Sequence, residues 1–389
     1  MDARGRRQRE RTIRSPGFAK IIVSPAAMTK RKTIIHRSDI RLVWHTMNLS
    51  LRRSLRTAFR WISRVLAVIA LLIAAIVIVS RVAAAARERE AAEQAAPSTG
   101  HFVLAGDLQM YVQEAGPSNG PPIVLVHGTG AWSEIWRETM TALADAGFHA
   151  IAIDVPPFGY SGKLPGPSSY SPDKQAGRIA AALDALGLRG VVLVGHSVGA
   201  RPTVETALLA PGRIERLVLV DPALGFGVEG SSEFQQNDPS FLMKALFGVR
   251  GVRNAVLSIV ATNPLTTRAL FQTFVSNTAA VTDARVTMLQ QPLVVENTTT
   301  AEGDWLHYLM LSEDRSRVSD FKNFAKLTMP VLLIWGSTDT VTPLWQGRQL
   351  QQLIPHAELS VLDNVGHIPY IEDATAFNDM LVRYLQARH

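Results

Sequence analysis

The chain contains no cysteine. Disulfides, thiolate metal sites and a cysteine nucleophile are thereby excluded. The compartment is not, because a cysteine-free chain suits an oxidising space and the cytosol alike. No internal repeat is present. Acid is scarce at one end: residues 1–64 hold 17 Lys+Arg against 3 Asp+Glu, a net of 17 − 3 = +14. The whole chain carries +7, so the remainder carries 7 − 14 = −7. The basic excess is a tail on a mildly acidic body. No base-reading module accompanies it, so no nucleic-acid partner is expected. No cluster of His, Asp and Glu has metal-ligand spacing, so neither a metal nor another cofactor is expected. With 389 residues, 47% of them hydrophobic, the chain is long enough for one large α/β domain and additions to it.

Charge is also missing from Val65 to Ser80, VLAVIALLIAAIVIVS. As a helix this run spans about 24 Å at 1.5 Å per residue, a little less than a hydrocarbon core of roughly 30 Å. Trp61, Ile62 and Val82 to Ala86 extend it, and Arg64 and Arg81 can snorkel. No amphipathic stripe interrupts the run, which argues against a buried soluble helix. A transmembrane or signal helix is expected over 61–86, after a basic, disordered tail over 1–60 and before a linker over 87–100. Lys and Arg concentrate on the N-terminal side, so the body is expected outside the cytoplasm, membrane-anchored, or exported if the small residues Val82 to Ala86 mark a cleavage site. Arg52-Arg53 faintly resembles a twin-arginine export signal.

From His101 the texture changes. His101 to Gly116 alternates about Gly106-Asp107, a hairpin pattern. Six short apolar runs follow: Ile123 to Gly128, His149 to Val155, Val191 to His196, Leu217 to Pro222, Val331 to Gly336 and Ala357 to Leu362. Most are β-branched and end in Gly, Asp or Pro, as buried parallel strands do. Helical patterns lie between them at Trp136 to Ala146, Pro172 to Leu186, Val198 to Ala210 and Ala374 to Ala387. Alternation of this kind predicts an α/β fold: a mostly parallel, eight-stranded sheet with helices on both faces. The long interval after the sixth strand shows only helical patterns, at Ser240 to Thr262, Leu265 to Val275, Asp283 to Gln291 and Trp305 to Leu311. It is placed like a lid, over about 223–326 of the 101–389 domain.

Ligands of such sheets bind beyond the carboxyl ends of the strands. Ser197 lies there, in Gly195-His196-Ser197-Val198-Gly199, after a strand and before a helix. That context lifts the serine hydroxyl above the sheet. A serine hydroxyl is a weak nucleophile and needs a base. His367 follows the last strand and is the candidate; His101, His149, His196 and His356 are worse placed. The histidine needs a carboxylate in turn. Asp339 lies just past a strand end and is favoured over Asp221, the runner-up. Asp154 is expected to cap loop N–H groups instead. The developing oxyanion needs two donors. Val198 N–H at a helix start and Thr129 N–H in His127-Gly128-Thr129-Gly130 are the candidates. Tyr160, Trp132, Trp136 and Phe158 either line a pocket mouth or belong to the core.

The segments VLVHGTG, DVPPFGYSGK, VGHSVGA, IWGSTDTVTP and VGHIPYIED occur in the order Ser, Asp, His. In them the chain resembles the α/β-hydrolase superfamily, in the lidded group related to epoxide hydrolases, haloalkane dehalogenases and carbon–carbon bond hydrolases. The resemblance covers 101–389 and implies Ser197 as nucleophile, Asp339 as acid, His367 as base, and Thr129 and Val198 as oxyanion donors. Serine stands where epoxide hydrolases and dehalogenases place aspartate, which implies acyl transfer instead of an alkyl-enzyme route. The expectation is a serine hydrolase of carboxylic esters with a small, apolar substrate. The alternatives sharing the triad are carbon–carbon, lactone or amide hydrolysis and cofactor-free perhydrolysis. A catalytically silent, membrane-tethered binding protein is a reading of another class.

Overall fold

The computed structural model describes residues 37–227, 229 and 239–387; the expected disordered tail over 1–36 lies outside them. Two units are separated between Ile69 and Ala70. Helix α1, Arg37–Arg87, begins in the first and ends in the second. Its span Met47–Arg87 is long and apolar enough to cross a membrane, and its most apolar window is unburied. The tail expected to be disordered is therefore helical over 37–60.

The second unit carries one sheet of eight strands: β1 Gly100–Ala105, β2 Leu108–Ala115, β3 Pro122–Val126, β4 His149–Ile153, β5 Val191–His196, β6 Ile214–Val220, β7 Val331–Gly336 and β8 Glu358–Leu362. Their order is β1-β2-β4-β3-β5-β6-β7-β8. The sheet is mixed: β2 pairs antiparallel with β1 and β4, and the other pairs are parallel. The hairpin turns at Gly106, whose φ of 71° is costless for glycine.

The remaining helices are α2 Ala92–Ala95, α3 Arg137–Asp145, α4 Pro172–Ala185, α5 Ala200–Leu209, α6 Phe241–Gly248, α7 Arg250–Val260, α8 Pro264–Gln272, α9 Asp283–Gln290, α10 Thr298–Leu311, α11 Trp345–Leu353, α12 Pro369–Glu372 and α13 Ala374–Gln386. Every residue of β4, β5 and β7 is buried, because helices cover both faces. Alternate strand residues feed two cores. Val124, Ile151, Leu193 and Leu219 pack with Ile179 of α4 and Val204 of α5. Leu125, Ala152, Val194 and Val220 pack with Met140 of α3 and with Phe377, Leu381 and Leu385, one stripe of α13.

The lid helices are α6 to α10, between β6 and β7. The expected single helix Ser240 to Thr262 is two, broken at Val249, whose extended backbone separates α6 from α7. The expected linker 87–100 is ordered, and its first residues are bonded to the lid. The Arg87 guanidinium donates to Leu293 O (3.0 Å) and Thr262 O (2.5 Å), and Arg89 N donates to Val294 O (2.9 Å). The Glu88 carboxylate accepts from the Thr299 hydroxyl and from Thr299 N (3.2 Å).

Candidate active site

The sheet order reverses where β3 lies beside β5, so their carboxyl ends open a crevice at the switch point. The turn after β5 places Ser197 there with φ 53°, a left-handed conformation costing a non-glycine residue about 1–3 kcal/mol. The neighbouring glycines make that turn possible. A Cβ on Gly199 would lie 2.1 Å from His127 O, and one on Gly195 2.5 Å from Thr203 Oγ1.

Ser197 Oγ lies 2.8 Å from His367 Nε2, and His367 Nδ1 lies 2.7 Å from Asp339 Oδ2. All three residues are buried. Asp339 Oδ1 accepts from Val341 N (2.7 Å) and Thr342 N (3.0 Å), and Oδ2 accepts from the Thr342 hydroxyl (2.6 Å). Burial pushes the Asp339 carboxyl up, but the bonds from His367 and Thr342 outweigh it and hold the group below its ordinary value. Asp221 does not reach the histidine in this way. Its Oδ1 accepts from Gly336 N (2.9 Å), and burial followed by the nearby Asp339 charge raises its carboxyl well above the ordinary range. The structure thus brings together Ser197, His367 and Asp339 and leaves Asp221 as a buried, structural acid. Asp154 caps loops: it accepts from Ser133 N (2.6 Å) and Tyr160 N (2.7 Å).

Thr129 lines the cavity above Ser197, and Val198 lines the adjoining one. Neither N–H has a protein acceptor among the described residues. Gly128 holds the first loop against the elbow: a Cβ there would meet Ser197 Cβ at 3.0 Å. His127 is neutral, with burial lowering its pKa to about 4. Its Nε2 accepts from Val155 N (3.0 Å) while Nδ1 faces Gly128 O (2.8 Å).

Several supporting residues escape sequence reasoning. His196 Nε2 donates to His367 O (2.8 Å), and its Nδ1 accepts from the Tyr370 hydroxyl (2.9 Å). Burial lowers its pKa to about 3, so the ring stays neutral and holds the His367 loop. Tyr370 stacks on Trp136 with ring centroids 3.8 Å apart. Such a pair adds about 0.5–1.5 kcal/mol beyond burial. The position of Tyr370 three residues after His367 is the available sequence signal. From the lid, Phe274 O accepts from His367 N (3.2 Å), and Glu372 accepts from Ser276 N (2.7 Å) and Asn277 N (2.9 Å). Of the four pocket-or-core aromatics only Phe158 lines the site; Trp132 and Tyr160 form a small core with Tyr111, and Trp136 supports Tyr370.

The cavity at Ser197 measures about 280 Å³ and is walled by lid side chains, among them Phe247, Leu270, Phe274, Leu289 and Leu306. A second cavity of about 290 Å³ adjoins it. The two share Phe158 and Trp305, whose rings meet edge to face at 5.0 Å. The described lining of the Ser197 cavity contains no Lys or Arg and one carboxylate, Glu302. Glu302 is 9% exposed and has no hydrogen-bond partner among the described residues. Burial pushes its carboxyl up to about 7, with Lys163 pulling it down and Glu88 pushing it further up.

Asp221, Asp339 and His367 offer ligand atoms within 4.8 Å of one another. Each of the last two is already committed to the serine line, so the trio does not fit a metal ion.

Residues 121–374 match the model of the alpha/beta hydrolase fold family. A 2-hydroxy-6-oxononadienedioate/2-hydroxy-6-oxononatrienedioate hydrolase of Paraburkholderia phymatum is 30% identical over 301 residues, 75% of this chain and 96% of that protein. Its counterpart in Burkholderia vietnamiensis is 29% identical over 289 residues, 72% of this chain and 92% of that protein. Among solved structures, a meta-cleavage product hydrolase is similar with a TM-score of 0.57 and 25% identity, covering 74% of this chain and 98% of that one.

Proposed function

Since the chain belongs to the α/β-hydrolase fold family, we propose that Ser197 is the nucleophile of a hydrolase acting on a ketone-bearing carbon chain, cleaving a carbon–carbon bond beside the carbonyl. The observation carrying this reading is the hydrogen-bonded line Asp339–His367–Ser197 ending in a lidded, apolar cavity. The oxo-dienedioate hydrolases among the relatives support the choice of bond.

In this mechanism His367 Nε2 takes the Ser197 proton as Oγ attacks the carbonyl carbon. Thr129 and Val198 N–H groups hold the oxyanion, and Asp339 stabilises the imidazolium. The substrate reacts as its keto tautomer, in which the hydroxyl proton has moved to the carbon beside the attacked carbonyl; the oxyanion collapses, the carbon–carbon bond breaks, and its electron pair leaves as an enolate delocalised into the conjugated chain. The imidazolium returns its proton to that fragment. Water, deprotonated by His367, then releases the acyl group as a carboxylic acid and restores Ser197.

Ester hydrolysis is the second reading, favoured by the absence of Lys and Arg from the described cavity lining. A dicarboxylate meets no cation there, whereas a neutral ester needs none. The same steps apply with an alkoxide as leaving group. One panel separates the readings: purified protein and Ser197→Ala, assayed on a 2-hydroxy-6-oxodienoate and on p-nitrophenyl acetate, butyrate and octanoate. Turnover of the dienoate above the esters supports the first reading, and the reverse supports the second. A folded protein that turns over neither and takes no fluorophosphonate label refutes both and favours the silent binding protein.

The apolar span of α1 supports a membrane anchor, and the basic excess before it supports a catalytic domain outside the cytoplasm. Carbonate extraction of membranes and protease protection of spheroplasts test this reading. Release by carbonate, or protection of the domain only by the inner membrane, overturns it.

A further inference from the structure

The end of the apolar helix lies against the lid, two of whose residues near that contact, Val260 and Ala261, line the Ser197 cavity. Along the last turns of α1 and just past its end, Val77, Ser80, Arg81, Arg87 and Glu88 are partly buried and Ala84 is 2% exposed, while Ile78, Val79 and Val82 are exposed. Burial at intervals of three and four is one helix face lying against protein. This face starts at Val77, inside the charge-free run, about 6 Å of helix before Arg81. Arg81 donates to Asn254 O (3.4 Å) in α7, and Arg87 donates to Thr262 O (2.5 Å) just after it.

The two lid helices nearest these contacts, α7 and α8, expose apolar side chains. Val252, 41% exposed, is two residues from Asn254; Val260, 47% exposed, is two before Thr262; Leu265, 91% exposed, is three after it. Val260 and Ala261 also line the Ser197 cavity. One wall of the cavity is thus shared with the outer surface of the lid near the helix end.

We infer that this lid face, marked by Val252, Val260 and Leu265, seats on the bilayer that holds α1, and that substrate enters the Ser197 cavity from the lipid phase. The occupant is a lipid surface because the face continues an apolar helix at the depth where its charge-free run ends. Apolar side chains at such a boundary bury themselves among headgroups and upper acyl chains. The substrate class that follows is an apolar carbonyl compound that partitions into membranes, matching a cavity whose lining has no Lys or Arg. The inference rests on the anchor and hydrolase readings above.

The absence of cysteine makes the test clean, since one introduced thiol is the one labelled site. The full chain is reconstituted into phosphatidylcholine vesicles carrying lipids spin-labelled near the headgroup and, in a second sample, at mid-chain. An environment-sensitive dye is placed at Leu265→Cys, at Leu71→Cys in the apolar helix, and at Asp145→Cys at the opposite end of the sheet. Quenching at 71 and 265 but not at 145 is expected. Quenching at 71 with none at 265 overturns the seating while leaving the anchor; quenching at neither overturns the anchor reading and the inference with it. A V252D/L265D variant then reports on entry. It is expected to lose about tenfold in kcat/KM on p-nitrophenyl palmitate dissolved in the vesicles, the loss of apolar seating area, and to keep wild-type turnover of p-nitrophenyl acetate. Equal rates with wild type on both esters, or equal losses on both, overturn entry from lipid. A wild type inert toward both esters refutes the ester reading and overturns entry as stated, while the quenching result still decides the seating.

Discussion

The sheet end and the lid solve opposite problems. At the sheet end each group is held by backbone: Ser197 by a left-handed turn, Asp339 by two N–H donors, and His367 by its loop contacts. The chemistry tolerates little displacement there. The lid is tied by side-chain and backbone bonds to a strap outside the 101–389 segment, Arg81 to Glu90, and its side chains wall the cavity. Under the proposed reading the reaction type would reside in the sheet-end groups and the choice of substrate in the lid.

The sharpest test of that division is loss of the serine. Ser197→Ala is expected to lower kcat by roughly 10⁴–10⁶-fold, with an unchanged unfolding midpoint, because no other group can attack. Steady-state turnover and thermal melting check it. Asp339→Asn comes next, with a loss on the order of 10⁴-fold, since an amide cannot fix the tautomer or stabilise the imidazolium. Asp221→Asn is its control. Burial already favours the neutral form of Asp221, so the isosteric amide is expected to change kcat by less than about threefold. A large loss in Asp221→Asn beside a small one in Asp339→Asn would transfer the acid role to the runner-up.

Glu302 carries the comparison into the lid. Its carboxyl titrates near 7 in an apolar cavity, above its ordinary value, so it is neutral below that pH and charged above it. A charged carboxylate repels an anionic substrate. The kcat/KM ratio of an anionic to a neutral substrate is therefore expected to rise several-fold as pH falls from 8 to 6, on the order of one like-charge contact. The ratio cancels any pH effect common to both substrates. In Glu302→Gln it is expected to stay flat and high. A flat ratio in wild type would show that the substrate does not reach Glu302.

The same division explains what was legible. The strands, the Ser–Asp–His order and the glycine-rich loop at Gly128 follow from local requirements: buried parallel strands are continuously apolar, and the tight turn at Ser197 needs glycine where Cβ would strike His127 O or Thr203. Asp339 was separable from Asp221 only weakly, since both end strands; what separates them is reach to His367 Nδ1, a property of the folded sheet. The break at Val249, the roles of His196, Tyr370 and Glu302, and the strap were hidden. Each depends on contacts between residues far apart in the chain, such as Glu88 with Thr299, and residues 87–100 have the composition of a linker.

The strap supplies the most specific effect. Arg87 and Glu88 together make four hydrogen bonds to the lid, two to carbonyls at Thr262 and Leu293 and two from Thr299. A hydrogen bond of this kind contributes about 1 kcal/mol net, and charge raises that, yet partial exposure of Arg87 lowers it. R87A/E88A is therefore expected to speed amide exchange in α7 and α10 by about tenfold, the equivalent of roughly 1.4 kcal/mol of local opening. The sheet has no part in these bonds, so exchange in β3, β5 and β7 is expected to be unchanged. Uniform acceleration would mean that lid and sheet open as one unit, and the division drawn between them would fail. Acceleration confined to the lid, with a raised KM and an unchanged kcat, would locate the strap on the substrate-binding side of that division.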